Sequence, residues 1–291
     1  MDSVLTTVFL PVALGVVMLG LGLGLTLADF RRILVYPKAV LVALGCQVVL
    51  LPLTCFGLVL AFDLPPTLAV GMMLLAASPG GTTANLYSHL FGGNVALNIS
   101  LTAVNSILAV VTLPLVVNLS LSYFGSGDSV GLQFDKVLQV FAIVLLPVLV
   151  GMLIRHHRAG FADRMDRPVR ILSVVVLIGV IGGAVVNERD NIAQYFLAVG
   201  LIVLLFNVIS LAVGYLVPRA LKVDRAEAGA AAFEIGIHNA TLAITIAVSL
   251  LGNAEMAIPA AVYGLVMFAT ATGFGYLLRH LSAGTRTSNP A

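Results

Sequence analysis

Nine apolar runs of 18 or more residues follow one another along this chain, and they restrict its fold more than any other feature. They cover roughly residues 4–27, 38–61, 67–90, 95–122, 136–156, 169–187, 192–217, 226–250 and 256–279. A helix needs about 20 mainly apolar residues to cross a bilayer, whereas a barrel strand needs about half that. Runs this long and this uniformly apolar predict an all-α polytopic membrane protein with nine transmembrane helices. Composition agrees: 60% of the residues are hydrophobic and 10% are charged, against about a quarter charged in soluble domains. The connections leave no room for a soluble domain, so residues 1–291 read as a single membrane domain. "MDSV" at the start carries no positive charge, and no small-residue cleavage site follows it, so the first run reads as a span rather than a signal peptide.

The basic residues orient the bundle. With the N-terminus outside, the inner loops and C-terminal tail hold Arg31, Arg32, Lys38, Arg155, Arg158, Arg164, Arg167, Arg170, Arg219, Lys222, Arg225, Arg279 and Arg286. Only Lys136 and Arg189 fall outside. That asymmetry predicts an inner (plasma) membrane protein with its N-terminus outside and its C-terminus cytoplasmic. The net charge of +2 then reports orientation, and no nucleic-acid partner is expected. No obligate protein partner is evident, and the lipid bilayer is the expected surrounding. Cys46 and Cys55 share one span about 13 Å apart along the helix axis, beyond disulfide reach.

The loop "RHHRAGFADRMDRP" (155–168) divides the chain into two similar halves, and each half holds one interrupted span. The third contains "ASPGGTTANLYSHL" (77–90) and the eighth "FEIGIHNATLA" (233–243). Pro79 and the two glycines after it stop one helix, and Thr82 or Thr83 can cap the next. Gly236 loosens the eighth span, where Asn239 or Thr241 can cap the half-helix that follows. Spans five apart cross the membrane in opposite directions. Paired interrupted spans in opposed halves predict an inverted-repeat transporter with its site at the midplane. Free N–H groups at one half-helix start attract anions, and free C=O groups at another's end attract cations.

Glu234 is the one acidic residue expected near mid-membrane, where an unpaired carboxylate costs several kcal/mol. A structural ion pair with His238, one helical turn later, is the plain alternative to a cation ligand or proton carrier. Asn98, Thr102 and Asn105 share one face of the fourth span and serve either as interhelical glue or as an oxygen-rich cation site. Asn85 and mid-span Gln47 add amide oxygens. "LGLGLGLTL" (19–27) lacks the spacing of a nucleotide loop and reads as small residues for close helix packing.

At "SPGGTTANLYSHLFGGNVALNISLTAVN", "EIGIHNATLA" and "LGLGLTLADF" the chain resembles the bile acid:sodium symporter family. The likeness covers nearly the whole length. It implies two crossed broken helices in a core domain (about 38–122 and 192–279) and a panel domain (about 4–27 and 136–187) that moves against it. It also implies two sodium sites. One would use the positions held here by Ala84, Asn85, Asn98, Thr102 and Glu234. The other would use Gln47, Glu234, the backbone of Ile235 and Ile237, and His238. Ala84 lacks a hydroxyl, His238 stands where the family commonly has glutamine, and Met267-Phe268 replace a His-Asn pair near the substrate. The resulting expectation is a secondary active transporter, not an enzyme, coupling Na⁺ (one or two ions) to an organic anion by alternating access. Thr82, Thr83, Asn239, Met267 and Phe268 would meet the anion, bile-acid-like or a small carboxylate. Proton-coupled or uncoupled carriage is the alternative, and a membrane anion sensor a weaker one given the short inner loops.

Overall fold

The computed structural model describes residues 10–125, 134–165 and 192–286, with a few positions between 168 and 179. The described elements are helical apart from one isolated backbone bridge. In chain order they are α1 (Leu10–Gly24), α2 (Pro37–Ala61), α3 (Pro66–Ala77), α4 (Thr82–Phe91), α5 (Val95–Phe124), α6 (Phe134–His157), α7 (Ile192–Ala220), α8 (Arg225–Gly236), α9 (Ala240–Leu250) and α10 (Ile258–Arg286). The sixth expected span, 169–187, lies largely outside the described residues.

Within α2, α5, α7 and α10 there are stretches long and apolar enough to cross a membrane unaided. A fifth candidate is α1 with the short segment Leu27–Leu34, bent by 72° at the intervening residues. A capping box holds that bend: Asp29 accepts from the Thr26 backbone N–H and hydroxyl, both at 2.7 Å, and pairs with Arg32. α3 and α4, of 12 and 10 residues, are each too short to span alone. The same holds for α8 and α9.

Polarity along α5 runs opposite to that of a soluble helix. Ile107, Val111, Leu115 and Leu119, spaced by four, are 46–64% exposed. Asn98, Thr102, Asn105 and Ser106 are buried. Leu41 and Leu53 on α2, Leu146 and Leu149 on α6, and Leu201 and Leu216 on α7 are likewise exposed. An apolar outside around a polar centre suits lipid as solvent, and this is a multi-pass membrane protein. The half-helices are enclosed instead: α3 from Leu68 to Ala77 and α8 from Ala228 to Gly236 are buried on every face.

Small residues let the helices approach closely. A Cβ on Gly22 of α1 would collide with the backbone of Val148 on α6, and one on Gly151 would lie 2.6 Å from the Leu19 carbonyl oxygen. One glycine of the "LGLGLGLTL" run is thus a packing residue, as its composition suggests. Gly151→Val should lower stability by about 2 kcal/mol, read as an earlier melting transition in detergent. An unchanged transition would mean that the α1–α6 contact can widen freely. Cys46 and Cys55 are both free and buried.

Candidate functional site

The two interruptions meet. α3 stops at Ala77 because Pro79 has no N–H to donate and restricts Ser78 to an extended conformation (φ −72°, ψ 140°). α8 stops at Gly236 with Ile237 at φ −113°, ψ 88°. The freed backbones pair antiparallel across Gly80 and His238. Gly81 N–H donates to the Ile237 carbonyl at 3.1 Å, and Asn239 N–H donates to the Pro79 carbonyl at 2.9 Å. Two irregular segments at membrane depth thereby satisfy each other, which lipid could not do.

The carbonyl at the end of each half-helix meets two side chains, for Ser78 one from α2 and one from the facing break, and for Gly236 one each from α7 and α10. Gln47 Nε2 (3.1 Å) and His238 Nδ1 (2.9 Å) both meet the Ser78 carbonyl. Asn207 Nδ2 (2.8 Å) and the Tyr263 hydroxyl (2.9 Å) both donate to the Gly236 carbonyl. Gln47 sits on α2 and Asn207 on α7, five expected spans apart. Gln47 lies in a π-helical turn, Cys46–Leu50, where the Leu51 N–H reaches back to the Cys46 carbonyl. Pro52 cannot donate to the carbonyl four residues before it, and the wider turn absorbs that loss.

The caps differ in part from expectation. Asn239 caps α9, accepting from Leu242 N–H at 3.0 Å. α4, however, is preceded by Gly81 in extended conformation with no side-chain cap; Thr82 and Thr83 are its first two helical residues. Their hydroxyls are therefore not capping groups. At the start of α4 the Ala84 N–H donates to the Gly81 carbonyl at 2.9 Å, so the N–H groups of Thr82 and Thr83 are the ones that a helix start leaves over.

Glu234 is fully buried beneath this crossing. Its Oε2 accepts from Asn98 Nδ2 at 2.8 Å and from the Thr102 hydroxyl at 2.5 Å, and its Oε1 accepts from Asn105 Nδ2 at 3.1 Å. All three donors come from one face of α5, as their spacing requires. Asn98 completes its own bonding by accepting from Ser88 of α4. The Gly80 backbone packs so close to the Glu234 carboxylate that no side chain fits between them. His238 is not paired with Glu234: its Nδ1 is engaged at Ser78, and the break at Gly236 has destroyed the one-turn spacing. Among the described residues Glu234 has no basic partner.

Four buried polar atoms on the segments that meet here lack a hydrogen-bond partner. Gln47 Oε1, Asn85 Oδ1, Asn105 Oδ1 and His238 Nε2 are buried with no hydrogen-bond partner. Asn85 lies one turn before Ser88 on α4. Ala84 is buried with no oxygen to give. Met267 is buried, and Phe268 stacks on Tyr87 at 6.4 Å, which also neighbours Phe91 and Phe233. Thr82 is exposed, and Thr83 and Asn239 half-buried. The backbone of Ile235 and Ile237 flanks the crossing. Ser88, Asn207 and Tyr263 are participants that sequence reasoning passed over; a lone amide at 207 in an apolar run was the available signal for one of them.

Matching profiles confirm the relationship that this geometry suggests: the Sodium Bile acid symporter family profile aligns with residues 11–195. The chain belongs to that family. It is 29% identical over 285 residues to a sodium-dependent transporter of Bacillus subtilis, YocS, covering 97% of this chain and 87% of that one. The chain is also 31% identical over 253 residues to the "probable sodium/metabolite cotransporter BASS1, chloroplastic" of Arabidopsis thaliana, covering 86% of this chain and 62% of that one. The human ileal sodium/bile acid cotransporter is 27% identical over 249 residues, covering 84% and 70%.

Proposed function

We propose that this protein is a secondary active transporter that carries an organic anion with Na⁺ by alternating access. The observation that carries the reading is the set of unpartnered oxygen acceptors on the segments that meet at the crossing. A buried carboxylate without a basic partner, beside amide oxygens without donors, calls for a small hard cation. Membership of the family, and sodium in the names of its relatives, support the same ion.

In this reading Glu234, Asn98, Thr102 and Asn85 serve a first cation, and Gln47, the Ile235 and Ile237 carbonyls and His238 surround a second. In this arrangement Asn98 turns its N–H₂ to Glu234, so it orients the carboxylate while Thr102 and Asn85 supply oxygens. The anion sits at the open end of the crossing, where Thr82, Thr83 and the α4 N-terminus offer donors and Asn239, Met267 and Phe268 complete the wall. Nine spans, an inverted repeat and a panel of α1 and α6 moving against the core give the alternating access. The matched capping of Ser78 from α2 and of Gly236 from α7 supports the repeat.

Coupling number sets concentrating power. Across 100 mV each net charge moved inward contributes about 2.3 kcal/mol. Two Na⁺ with one monoanion move one net charge, and two tenfold gradients add about 2.8 kcal/mol. One Na⁺ with one monoanion is electroneutral and leaves about 1.4 kcal/mol.

One observation favours a second reading, proton coupling. The Thr102 hydroxyl reaches both the Asn98 carbonyl at 3.0 Å and Glu234 at 2.5 Å. A protonated Glu234 could donate to Thr102, which would then donate to Asn98. Uptake into proteoliposomes separates the readings. Conjugated bile acids and small carboxylates are offered under an inward Na⁺ gradient, an inward H⁺ gradient or K⁺ alone. Accumulation that requires Na⁺ is the expected result; accumulation driven by H⁺ without Na⁺ would replace the proposal with its alternative.

A further inference from the structure

We infer that the rim formed at the C-terminal ends of α1 and α6 binds the headgroups of anionic phospholipids. Two segments build it: the elbow Leu27–Leu34 with the start of α2, and residues 155–165 at and beyond the end of α6. Leu23 of α1 packs with Ile154 of α6 and with Ala162, Met165 and Val169 in one small apolar cluster, which holds the two segments side by side. With α1 crossing the bilayer, the 72° turn after it lays the elbow helix near the membrane plane. Phe30 and Ile33 pack that helix against the core. Leu27, Arg31 and Leu34, spaced by four and three, form its exposed face. Leucines on that face do not suit water, and an arginine there does not suit acyl chains. The level that accepts both is the headgroup boundary. Phe161 repeats the pattern on the second segment, between exposed Arg158 and Arg164. Leu27, Leu34, Val35 and Phe161 are 50–82% exposed.

The charges decide the partner. Arg32 pairs with Asp29 and Arg155 with Asp163, which engages both acids among the described residues of these segments. Arg31, Lys38, Arg158 and Arg164 are exposed and have no side-chain partner among the described residues. Other cations are held by the protein itself. Arg219 donates to the Val223 carbonyl at 2.7 Å, and Arg279 donates to the Leu90 carbonyl and lies 5.2 Å over the Phe91 ring. Four unpaired cations beside four exposed apolar side chains complement a surface that is negative at its headgroups and apolar just beneath. The elbow joins α1 to α2, so lipid bound there anchors the panel of the transport reading. The binding itself does not depend on that reading.

The test is the melting transition of purified full-length protein in dodecyl maltoside micelles, titrated with dioleoyl-phosphatidylglycerol or dioleoyl-phosphatidylcholine. Phosphatidylglycerol should raise the transition of the wild type, and phosphatidylcholine should not. Arg31→Gln, Lys38→Gln, Arg158→Gln and Arg164→Gln should each raise the half-maximal phosphatidylglycerol fraction about fivefold. Leu34→Ser should weaken the response while keeping every charge. Lys222→Gln, which removes an exposed charge from the turn between α7 and α8, should leave it unchanged. Without lipid these variants should melt with the wild type, since every substituted side chain is exposed. Arg31 and Lys38 test the elbow and Arg158 and Arg164 the second segment, so an unstable variant in either leaves its neighbour to decide. Equal stabilisation by both lipids, or an equal loss in Lys222→Gln, would overturn the proposal. So would stabilisation by poly-glutamate or inorganic phosphate as strong as by phosphatidylglycerol and indifferent to Leu34→Ser, which would assign the rim to a soluble anionic partner.

Discussion

Replacing Glu234 with glutamine should leave the protein folded and abolish its response to sodium. Glutamine has the same shape, and its carbonyl can occupy the place of Oε2, still accepting from Asn98 and Thr102. Its new N–H₂ would face Asn105 Nδ2, and Asn105 can answer by rotating its amide to present Oδ1, which has no donor at present. The variant therefore keeps the bonds to Asn98 and Thr102, exchanges the unpartnered Asn105 Oδ1 for an unpartnered Nδ2, and loses the buried charge, whose desolvation works against folding. In KCl it should melt at or above the wild-type temperature. In NaCl the wild type gains about 2.7 kcal/mol at a hundredfold excess over its Kd, several degrees of melting temperature. The variant gains nothing. Melting curves of both proteins in the two salts check this, and an equal sodium shift in Glu234→Gln would move the cation site away from the crossing.

The second large effect belongs to the two adjacent glycines of the third span, which should respond oppositely. A Cβ on Gly80 would strike the Glu234 side chain and sit 2.7 Å from the Glu234 carbonyl oxygen. The latter is backbone and cannot move without parting the two breaks. A Cβ on Gly81 meets nothing within 4 Å, and its extended conformation (φ −106°, ψ 164°) suits alanine. Gly80→Ala should cost about 3 kcal/mol and eliminate sodium stabilisation with it. Gly81→Ala should change stability by less than about 0.5 kcal/mol. Thermal melts of the pair decide the point; similar behaviour of both variants would show that the crossing has a different geometry.

Much of this site is legible in the sequence because membrane chemistry makes polar residues conspicuous. Pro79 followed by two glycines, and Gly236 flanked by Glu234 and His238, mark the two breaks by clustering, since Pro114, Pro147 and Pro218 each stand inside a continuous helix. Glu234 and the Asn98-Thr102-Asn105 face stand out against an apolar background, and helical spacing alone aligns the latter. Asn239 is readable as a cap from its type and position. The Thr82 and Thr83 expectation failed because the Gly81 backbone takes the extended conformation that the cap position needs, and the threonines fall one step too late. The pairing of His238 with Ser78 was not readable. It depends on how two segments 160 residues apart cross, and the sequence carries no register between them. The same applies to Asn207 and Tyr263, which cap a backbone carbonyl 29 and 27 residues away. The orientation of Asn105 was equally hidden, because an amide shows which end is oxygen only once its neighbours are in place.

The sodium claim is met most directly by equilibrium binding of radiolabelled Na⁺ to the purified wild-type protein, with unlabelled Na⁺ or K⁺ as competitor. It requires no transported solute. Saturable binding displaced by Na⁺ and not by K⁺, and absent in Glu234→Gln, is the result expected of a cation held at the crossing. Absence of saturable binding across the pH range, or equal displacement by K⁺, would contradict it and leave the proton as the ion that Glu234 carries.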